Sequence, residues 1–269
     1  MSTAVETSPT LSRRRYVVRG VAGWLLPLAT LALLVVAWHV ATRIFDWPRW
    51  LVPSPVDVWN ALREEREILP GHFGRTLYET LAGFGLAILG GIPLAVAIAY
   101  SRFLERTIYP VLLALNAVPK IAIAPILILW MGFGVGPKVV VTLLLCIFPI
   151  VISTATGLKS TPPELVELVR SLDASRLQSF VKLRFPASLP HVFVGLKVAI
   201  SLAVIGAVIG EFVGAEKGLG YVIIASGSNV NTSLAFAAMV LLALMSIVLF
   251  YALVALERLL VPWAQYEEQ

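Results

Sequence analysis

Long uncharged stretches of apolar residues recur along the chain and predict membrane-spanning helices. About 20 mostly apolar residues cross the hydrocarbon core as one helix. The six stretches of suitable length are 20–42, 80–101, 107–132, 139–158, 189–210 and 234–256. Lys120 interrupts the third stretch and Lys197 interrupts the fifth. The pattern therefore predicts an all-α, polytopic membrane protein with about six transmembrane helices.

The composition is typical of a protein that resides in the bilayer. Of the 269 residues, 58% are hydrophobic and 14% are charged, and the mean hydropathy is +0.87. A soluble domain carries roughly 25% charged residues. No loop is long enough to hold a separate soluble domain. We therefore interpret residues 20–269 as a single transmembrane domain, which follows a polar tail, residues 1–19, predicted to be cytoplasmic and disordered.

The distribution of Lys and Arg predicts the orientation in the membrane. With the N terminus inside, twelve of the 21 Lys and Arg residues fall in cytoplasmic segments and seven fall in outer segments. Because cytoplasmic loops are enriched in Lys and Arg, both termini and the loop 158–188 are predicted to be cytoplasmic. The net charge of +5 does not indicate a nucleic-acid partner, because the cations lie at membrane boundaries without interleaved aromatic residues.

The predicted cytoplasmic loop contains the polar stretch ELVELVRSLDASRLQSFVKLRFPASLP at 164–190. Two helix starts are predicted, one just before this stretch and one within it. A capping-box pattern occurs at 161–164, with Thr161 as the cap, and again at 175–178. Asp173 lies at the corner between the helices, where a residue that tolerates left-handed geometry is favoured. The apolar face of the first helix comprises Leu165, Leu168, Val169 and Leu172. Such short helices are marginal alone in water, so this face is expected to be buried against either the lipid surface or a cytoplasmic partner.

Small residues recur every four positions in the second and fifth predicted spans. Such stripes let helix backbones approach closely in lipid. The glycines of these stripes are Gly83, Gly91, Gly206, Gly210 and Gly214. We predict that they are helix-packing positions, either within one bundle or at a subunit interface or moving seam.

The segment ELVRSLDASRLQSFVKLRFP resembles the EAA loop of permease subunits of ATP-binding-cassette (ABC) importers. That pattern runs Glu-Ala-Ala, three residues, Gly, nine residues, then Ile-x-Leu-Pro. Glu167 matches the Glu and 183–186 match the ending, whereas Leu168 and Val169 replace the alanines and Asp173 replaces the glycine. The resemblance implies a two-helix loop that docks on a separate ATP-hydrolysing subunit. It assigns ATPase coupling to Glu164, Glu167, Asp173, Ala174, Ser175 and Pro186.

Two further stretches, VPKIAIAPILILWMGFGVGPK and GEFVGAEKGLGYVI, are similar to the nitrate, sulfonate, taurine and pyrimidine-precursor branch of these permeases. The likeness covers residues 76–263. It implies a type I importer permease fold in the bacterial inner membrane and a small solute that is organic or anionic. The implied partners are a cytoplasmic ABC ATPase, an extracytoplasmic solute-binding protein and a second permease subunit in a homodimer.

The sequence lacks the residues that nucleotide binding or catalysis would need in this chain. The stretch GFGVGPK has neither the spacing nor the hydroxyl residue of a phosphate-binding loop, so ATP and Mg are expected in the partner ATPase. His39, His72 and His191 have no carboxylate or cysteine at ligand spacing, so no metal or other cofactor is expected. The alternatives are an ion-coupled secondary transporter, which usually shows paired repeats, or an integral-membrane enzyme with polar residues clustered at one depth.

Lys120 is the ionisable residue closest to the middle of a predicted span. Such residues usually face the bundle interior or a water-filled path, and Pro119 and Pro125 are expected to loosen the helix around it. We therefore predict that these three residues line the translocation path, where the Lys120 charge attracts an anionic solute. The alternative is an internal ion pair between Lys120 and Glu211. Lys197 is expected to extend its ammonium group outward to the membrane interface.

Overall fold

The computed structural model describes residues 22–263, and the predicted tail 1–19 lies outside them. All regular elements in this part of the chain are helical, which confirms the all-α class. The eleven α-helices are α1 Ala22–Ile44, α2 Pro55–Glu64, α3 Leu69–Tyr100, α4 Arg102–Ala117, α5 Lys120–Met131, α6 Gly136–Lys159, α7 Pro163–Ser171, α8 Arg176–Ser179, α9 Phe185–Gly214, α10 Leu219–Ser228 and α11 Thr232–Leu260. A π-helical turn, Phe180–Arg184, joins α8 to α9.

Five helical segments are long and apolar enough to cross a membrane. They are α1, α3, α6, the continuous α8–α9 segment and α11. The third predicted span is instead a broken pair, α4 and α5, which meet at an angle of 93°. Val118 between them has an extended backbone, with φ −68° and ψ 129°, because the residue before a proline is disfavoured in the helical region. With the pair counted as one span, the prediction of about six spans is confirmed.

The second predicted span begins earlier than the charge pattern indicated. The sequence placed its start after Glu79, whereas α3 begins at Leu69 and runs for 32 residues. Thr76 and Glu79 are consequently inside the helix, and both are fully buried. A charged residue is a reliable boundary of a span only when it lacks a partner inside the bundle, and Glu79 has partners there.

Helices α3 and α9 pack against α6 and against each other, and glycines permit their close packing on α6. A Cβ atom at Gly206 would lie 2.7 Å from the Cα of Thr142, and one at Gly210 would lie 2.8 Å from the Cα of Lys138. Gly83 and Gly91 on α3 also contact α6, and Gly214 contacts side chains of α5 and the following turn. All five glycines therefore pack against helices or turns of their own chain.

The two ends of the bundle carry different elements. The end that we call the α2 end holds α2, the start of α6 and the start of α11, where the Thr232 hydroxyl donates to the carbonyl of Trp50 at 2.6 Å. The end that we call the α7 end holds α7, α8, the π-helical turn and the corner between α3 and α4. There the rings of Tyr100 and Phe180 are in edge contact, with centroids 5.7 Å apart.

Candidate functional site

The first helix of the two-helix loop, α7, begins at Pro163. The predicted cap at Thr161 would have placed its first residue one position earlier. Pro162 is the N-cap of α7, and no side chain caps this helix. Pro162 precedes another proline, so its backbone is held in an extended conformation. An N-cap residue needs this conformation, and Pro162 therefore takes the N-cap position instead of Thr161. The Thr161 hydroxyl is buried and has no hydrogen-bond partner among the described residues. The capping box predicted at Thr161 is therefore wrong.

The corner of the loop and the second helix start have the geometry that the sequence predicted. Asp173 adopts a left-handed backbone with φ +54°, and the amide of Ala174 donates to the carbonyl of Val169 at 3.3 Å. At α8 the amide of Gln178 donates to Ser175 Oγ at 3.2 Å, and the amide of Ser175 donates to Gln178 Oε1 at 2.8 Å. The capping box at Ser175 is present. The result is a sharply turned pair of short helices.

The loop presents apolar side chains to the outside of the molecule. Val166 is the residue of α7 that is buried against the bundle. By contrast, the exposed fractions are 44% for Leu165, 57% for Leu168, 74% for Leu172 and 71% for Leu177. Glu164, Glu167, Asp173 and Ser175 are also exposed, whereas Ala174 and Pro186 are half-buried. An exposed apolar surface of this kind is suited to contact with another protein or with the membrane.

Lys120 lies at the bend of the broken span, at the first position of α5. Its ammonium group donates to the carbonyl oxygen of Asn116 and, at 2.9 Å, to Asn116 Oδ1. The last carbonyls of a helix have no partner within that helix, so Lys120 satisfies one that the break exposes. Pro119 is the N-cap of α5 and Pro125 lies inside it. The alternative of a pair between Lys120 and Glu211 is not formed, because Glu211 has other partners.

A buried ionic cluster at the α2 end was missed by the sequence analysis. Lys138 Nζ on α6 lies 3.0 Å from Glu79 Oε1 on α3, and both side chains are almost fully buried. Arg75 Nε, one turn before Glu79, contacts the same oxygen at 2.8 Å. The four-residue spacing of Arg75 and Glu79 was visible in the sequence, but the partner on α6 is 59 positions away. The cluster joins α3 to α6.

Glu211 anchors the loop between α9 and α10 to the same region. Its Oε1 accepts a hydrogen bond from the Thr76 hydroxyl at 2.7 Å, and its Oε2 accepts one from the amide of Gly220 at 2.6 Å. The Thr76 oxygen accepts from the amide of Leu219 at 2.8 Å, and His72 Nδ1 accepts from the amide of Gly218 at 3.0 Å. The start of α10 is thereby fixed to α3 by side chains that replace the missing helical partners of its first amides.

Lys197 is paired with a carboxylate of an adjacent helix. Its Nζ lies 2.9 Å from Glu257 Oε2, near the end of α11, and both side chains are partly exposed. The sequence analysis did not identify this partner, and the extension of Lys197 towards the membrane interface stays a prediction. In the part of the chain that the structure describes, no group of three or more His, Cys, Asp or Glu residues could hold a metal ion.

The described residues form an apolar helix bundle with one broken span and an exposed two-helix loop, whose second helix begins with a capping box. The chain belongs to the family described as the binding-protein-dependent transport system inner membrane component, whose model matches residues 87–266. Members of this family are permease subunits of ABC transporters rather than enzymes, and ATP hydrolysis belongs to a separate subunit. An ATPase and a solute-binding protein are accordingly partners of this chain.

The chain is similar in sequence to permease proteins of known transport systems. The chain is 37% identical over 238 residues to the formylaminopyrimidine transport permease protein ThiX of Halalkalibacterium halodurans, covering 88% of this chain and 95% of the relative. It is 38% identical over 238 residues to the riboflavin transport system permease protein RibX of Chloroflexus aurantiacus, covering 87% and 88%. Relatives at lower identity are permeases named for aliphatic sulfonates, taurine and nitrate.

The fold matches that of a solved ABC importer. An inward-facing structure of the MetNI methionine ABC transporter superposes with a TM-score of 0.66 at 21% sequence identity, covering 73% of this chain and 98% of that chain. The likeness shows that the two share a fold. Together with the family match, it confirms the type I ABC importer permease class that the EAA-like loop indicated, in a multi-pass protein of the inner membrane.

Proposed function

We propose that two copies of this chain form the membrane path of an importer for a small organic or anionic solute. An extracytoplasmic binding protein delivers the solute, and the loop containing α7 and α8 docks on the ATPase subunit, where ATP and Mg are bound. The loop and both termini then lie on the cytoplasmic side. The orientation is supported by the excess of Lys and Arg at the α7 end.

The exposed leucines of the loop are the observation that carries this proposal. Leu168 and Leu172 lie one turn apart on α7 and its C-cap, and most of each side chain is exposed. Burying a leucine contributes about 1.5–3 kcal/mol, so a partner surface that covers this face gains substantial free energy. A lipid surface is the alternative cover for these leucines, and the charges of α7 do not decide between the two, because Arg170 lies on the same short helix as Glu164 and Glu167.

The residues that resemble the family motif fit this docking role. Glu164 and Glu167 are exposed on α7 and offer carboxylates to the partner. Asp173, Ala174 and Ser175 form the corner that fixes the angle between the two helices, and Pro186 lies in the first turn of α9, where the loop joins the long span. A movement of the ATPase that displaces the loop would consequently also displace α9, which packs along α6 and α3 at the centre of the bundle.

The broken span is the element that we assign to the translocation path. Its bend exposes backbone carbonyls, which are tolerated at membrane depth only where protein or water satisfies them. Lys120 places a positive charge at this bend, with Pro119 and Pro125 on either side, and its hydrogen bonds to Asn116 leave its third donor free to bind a solute oxygen.

The class of solute follows from the relatives rather than from the geometry of this chain. Permeases named for a formylaminopyrimidine and for riboflavin share 37% and 38% identity with it, which favours a small heterocyclic compound. The sulfonate, taurine and nitrate permeases favour an anion, and the charge of Lys120 supports that alternative. Thermal-shift screening of the partner binding protein against pyrimidines, riboflavin, sulfonates and nitrate distinguishes these classes.

Removal of the exposed leucines tests the docking role. In the Leu168→Ala/Leu172→Ala variant we expect the ATPase to dissociate from the detergent-solubilised complex, because a loss of about 2 kcal/mol weakens binding about thirtyfold. The matched control is Leu86→Ala/Leu89→Ala, which removes two exposed leucines from α3 and is expected to retain the ATPase. Equal retention of the ATPase by both variants would refute docking through α7.

A further inference from the structure

A cavity of about 450 Å³ at the α7 end is lined by four arginines: Arg102, Arg170, Arg176 and Arg184. We propose that this cavity binds the phosphate group of an anionic phospholipid. The proposal rests on the membrane-spanning fold and on the proposed cytoplasmic position of the α7 end, and not on the identity of the solute, on Lys120 or on the docking of the ATPase.

Four elements, α4, α7, α8 and the π-helical turn, each contribute one of the arginines. Arg102 is the first residue of α4, directly after the corner at Ser101, and Arg170 and Arg176 lie on the two short helices of the loop. Arg184 is placed by the π-helical turn, in which the amide of Phe185 donates to the carbonyl of Phe180, five residues earlier. Such wider turns inside helices occur frequently at functional sites. The Arg184 guanidinium lies over the ring of Tyr100, at 5.6 Å from its centroid.

The protein offsets only part of the positive charge of this cavity. Within residues 22–263, none of the four arginines forms an ion pair with a carboxylate. The carboxylate in the lining belongs to Glu105, which pairs instead with Lys159 at 2.6 Å. Guanidinium groups bind phosphate oxygens in a bidentate manner. A phosphate group would therefore relieve the mutual repulsion of the arginines and use donors that lack a carboxylate partner.

A second cationic cavity, at the α2 end, differs from the arginine cavity in how far carboxylates offset its positive charge. It has a volume of about 370 Å³ and is lined by Arg75, Lys138 and Lys217 among other residues. There Arg75 and Lys138 share the Glu79 carboxylate, and Glu216 is also in the lining, so two carboxylates offset two of the three positive charges. The arginine cavity at the α7 end differs because its four guanidinium groups have no such partner.

The surroundings of the arginine cavity favour a lipid over a free anion. An adjoining cavity of about 400 Å³ shares Arg102 and Glu105 with it and continues along α4 past Arg106, Tyr109 and Pro110. The outer surface of α4 beside it is apolar, and Phe103 and Val111 are 72% and 54% exposed. Basic pockets at the cytoplasmic ends of transmembrane helices bind the headgroups of anionic lipids. When the phosphate group of a lipid occupies the arginine cavity, the acyl chains of that lipid would therefore lie along the apolar surface of α4.

Native mass spectrometry of the complete transporter tests this site. The detergent-solubilised complex is incubated with dioleoyl-phosphatidylglycerol or, for comparison, with dioleoyl-phosphatidylcholine. We expect retention of phosphatidylglycerol by the wild type, and about tenfold weaker retention by Arg102→Gln/Arg184→Gln, which removes two charge-assisted phosphate contacts. The control Lys182→Gln/Arg258→Gln removes the same charge from exposed positions near the same end that do not line the cavity. It is expected to retain the lipid as the wild type does.

Four outcomes would each overturn the proposal. Unchanged lipid retention in Arg102→Gln/Arg184→Gln, or equal loss in the control, would show that the cavity is not the site. Displacement of phosphatidylglycerol by millimolar inorganic phosphate would show a site for a free anion. Loss of the ATPase from the arginine variant with unchanged lipid retention would show that the arginines bind an acidic protein surface. If the double variant does not fold, lipid retention by the single variant Arg102→Gln tests the proposal instead. Arg102 is exposed at the start of α4, so its substitution should leave the fold intact.

Discussion

Lys138 on α6 and Glu79 on α3 form a buried ion pair, with Nζ and Oε1 3.0 Å apart. Arg75 contacts the same carboxylate oxygen from the preceding turn of α3. Burial of charges is costly, and the mutual attraction repays this cost only when the geometry is good and other hydrogen bonds are present. The pair therefore constrains how α3 and α6 pack at the α2 end, whatever its net contribution to stability.

Loss of Lys138 is predicted to destabilise the protein strongly. Lys138→Met leaves the buried Glu79 carboxylate with Arg75, whose side chain is 34% exposed, as its remaining charged partner, and breaking a buried ion pair costs up to about 3–5 kcal/mol. Thermal unfolding in detergent measures the effect. Addition of Glu79→Met to this variant should restore part of the stability, because it removes the buried carboxylate that has lost its Lys138 partner. Lys217→Met, at an exposed position of the same end, serves as the control, and equal melting temperatures for it and Lys138→Met would contradict the assignment.

Substitution of the packing glycines is predicted to separate α9 from α6. Gly206→Ala places a Cβ atom 2.7 Å from the Cα of Thr142, so one of the two helices must shift, at a cost of about 1–3 kcal/mol. Gly90→Ala is the matched control, because a Cβ atom at Gly90 has no heavy atom within 4 Å. Alanine favours a helix over glycine by about 1 kcal/mol, so this variant should melt no lower than the wild type. Identical melting of both variants would argue against close packing at Gly206.

Neutralisation of Lys120 is predicted to reduce transport. Lys120→Met removes the positive charge at the bend and the hydrogen bonds to Asn116, whereas Lys120→Arg keeps the charge and several donors. In a reconstituted complex we expect solute uptake and substrate-stimulated ATP hydrolysis to fall about tenfold or more in the methionine variant and to be largely retained in the arginine variant. Unchanged uptake by Lys120→Met would exclude Lys120 from the path.

The corner of the loop is predicted to require a residue that tolerates left-handed geometry. Asp173 has φ +54°, a conformation that costs most L-residues about 1–2 kcal/mol and glycine almost nothing. Asp173→Gly should therefore preserve ATP-driven uptake, while Asp173→Val, which is β-branched, should lower it about tenfold by depopulating the docked geometry. The comparison is made on complexes of equal purity. Full uptake with valine would mean that the corner does not control coupling.

Local patterns in the sequence predicted much of the fold. Hydrophobic runs located the spans, since each needs about 20 apolar residues, and Asp173 and the Ser175 capping box located the corner and the second helix of the loop. The boundary at Glu79 was wrong because charge was taken as the edge of a span, although a buried charge is stable when paired. Thr161 failed as a cap because the two prolines that follow it move the helix start by one residue.

The remaining features depend on contacts between distant parts of the chain. The partners of Lys138 and Lys197 are 59 and 60 positions away, and no local periodicity indicates them. Glu211 was recognised as an acidic residue within a span, but its bonds to Thr76 and to the first turn of α10 arise only when α3, α9 and α10 pack together. The 93° bend of the broken span likewise depends on packing as well as on Pro119.

Uptake by proteoliposomes that contain this chain and its ATPase, with the solute-binding protein added outside, tests the central claim most directly. The measurement is accumulation of the solute that stabilises the binding protein, with MgATP supplied at the ATPase. We predict accumulation when all three components are present and none when the ATPase subunit is left out. Accumulation at the same rate without the ATPase would contradict the assignment of this chain as an ATP-driven permease subunit.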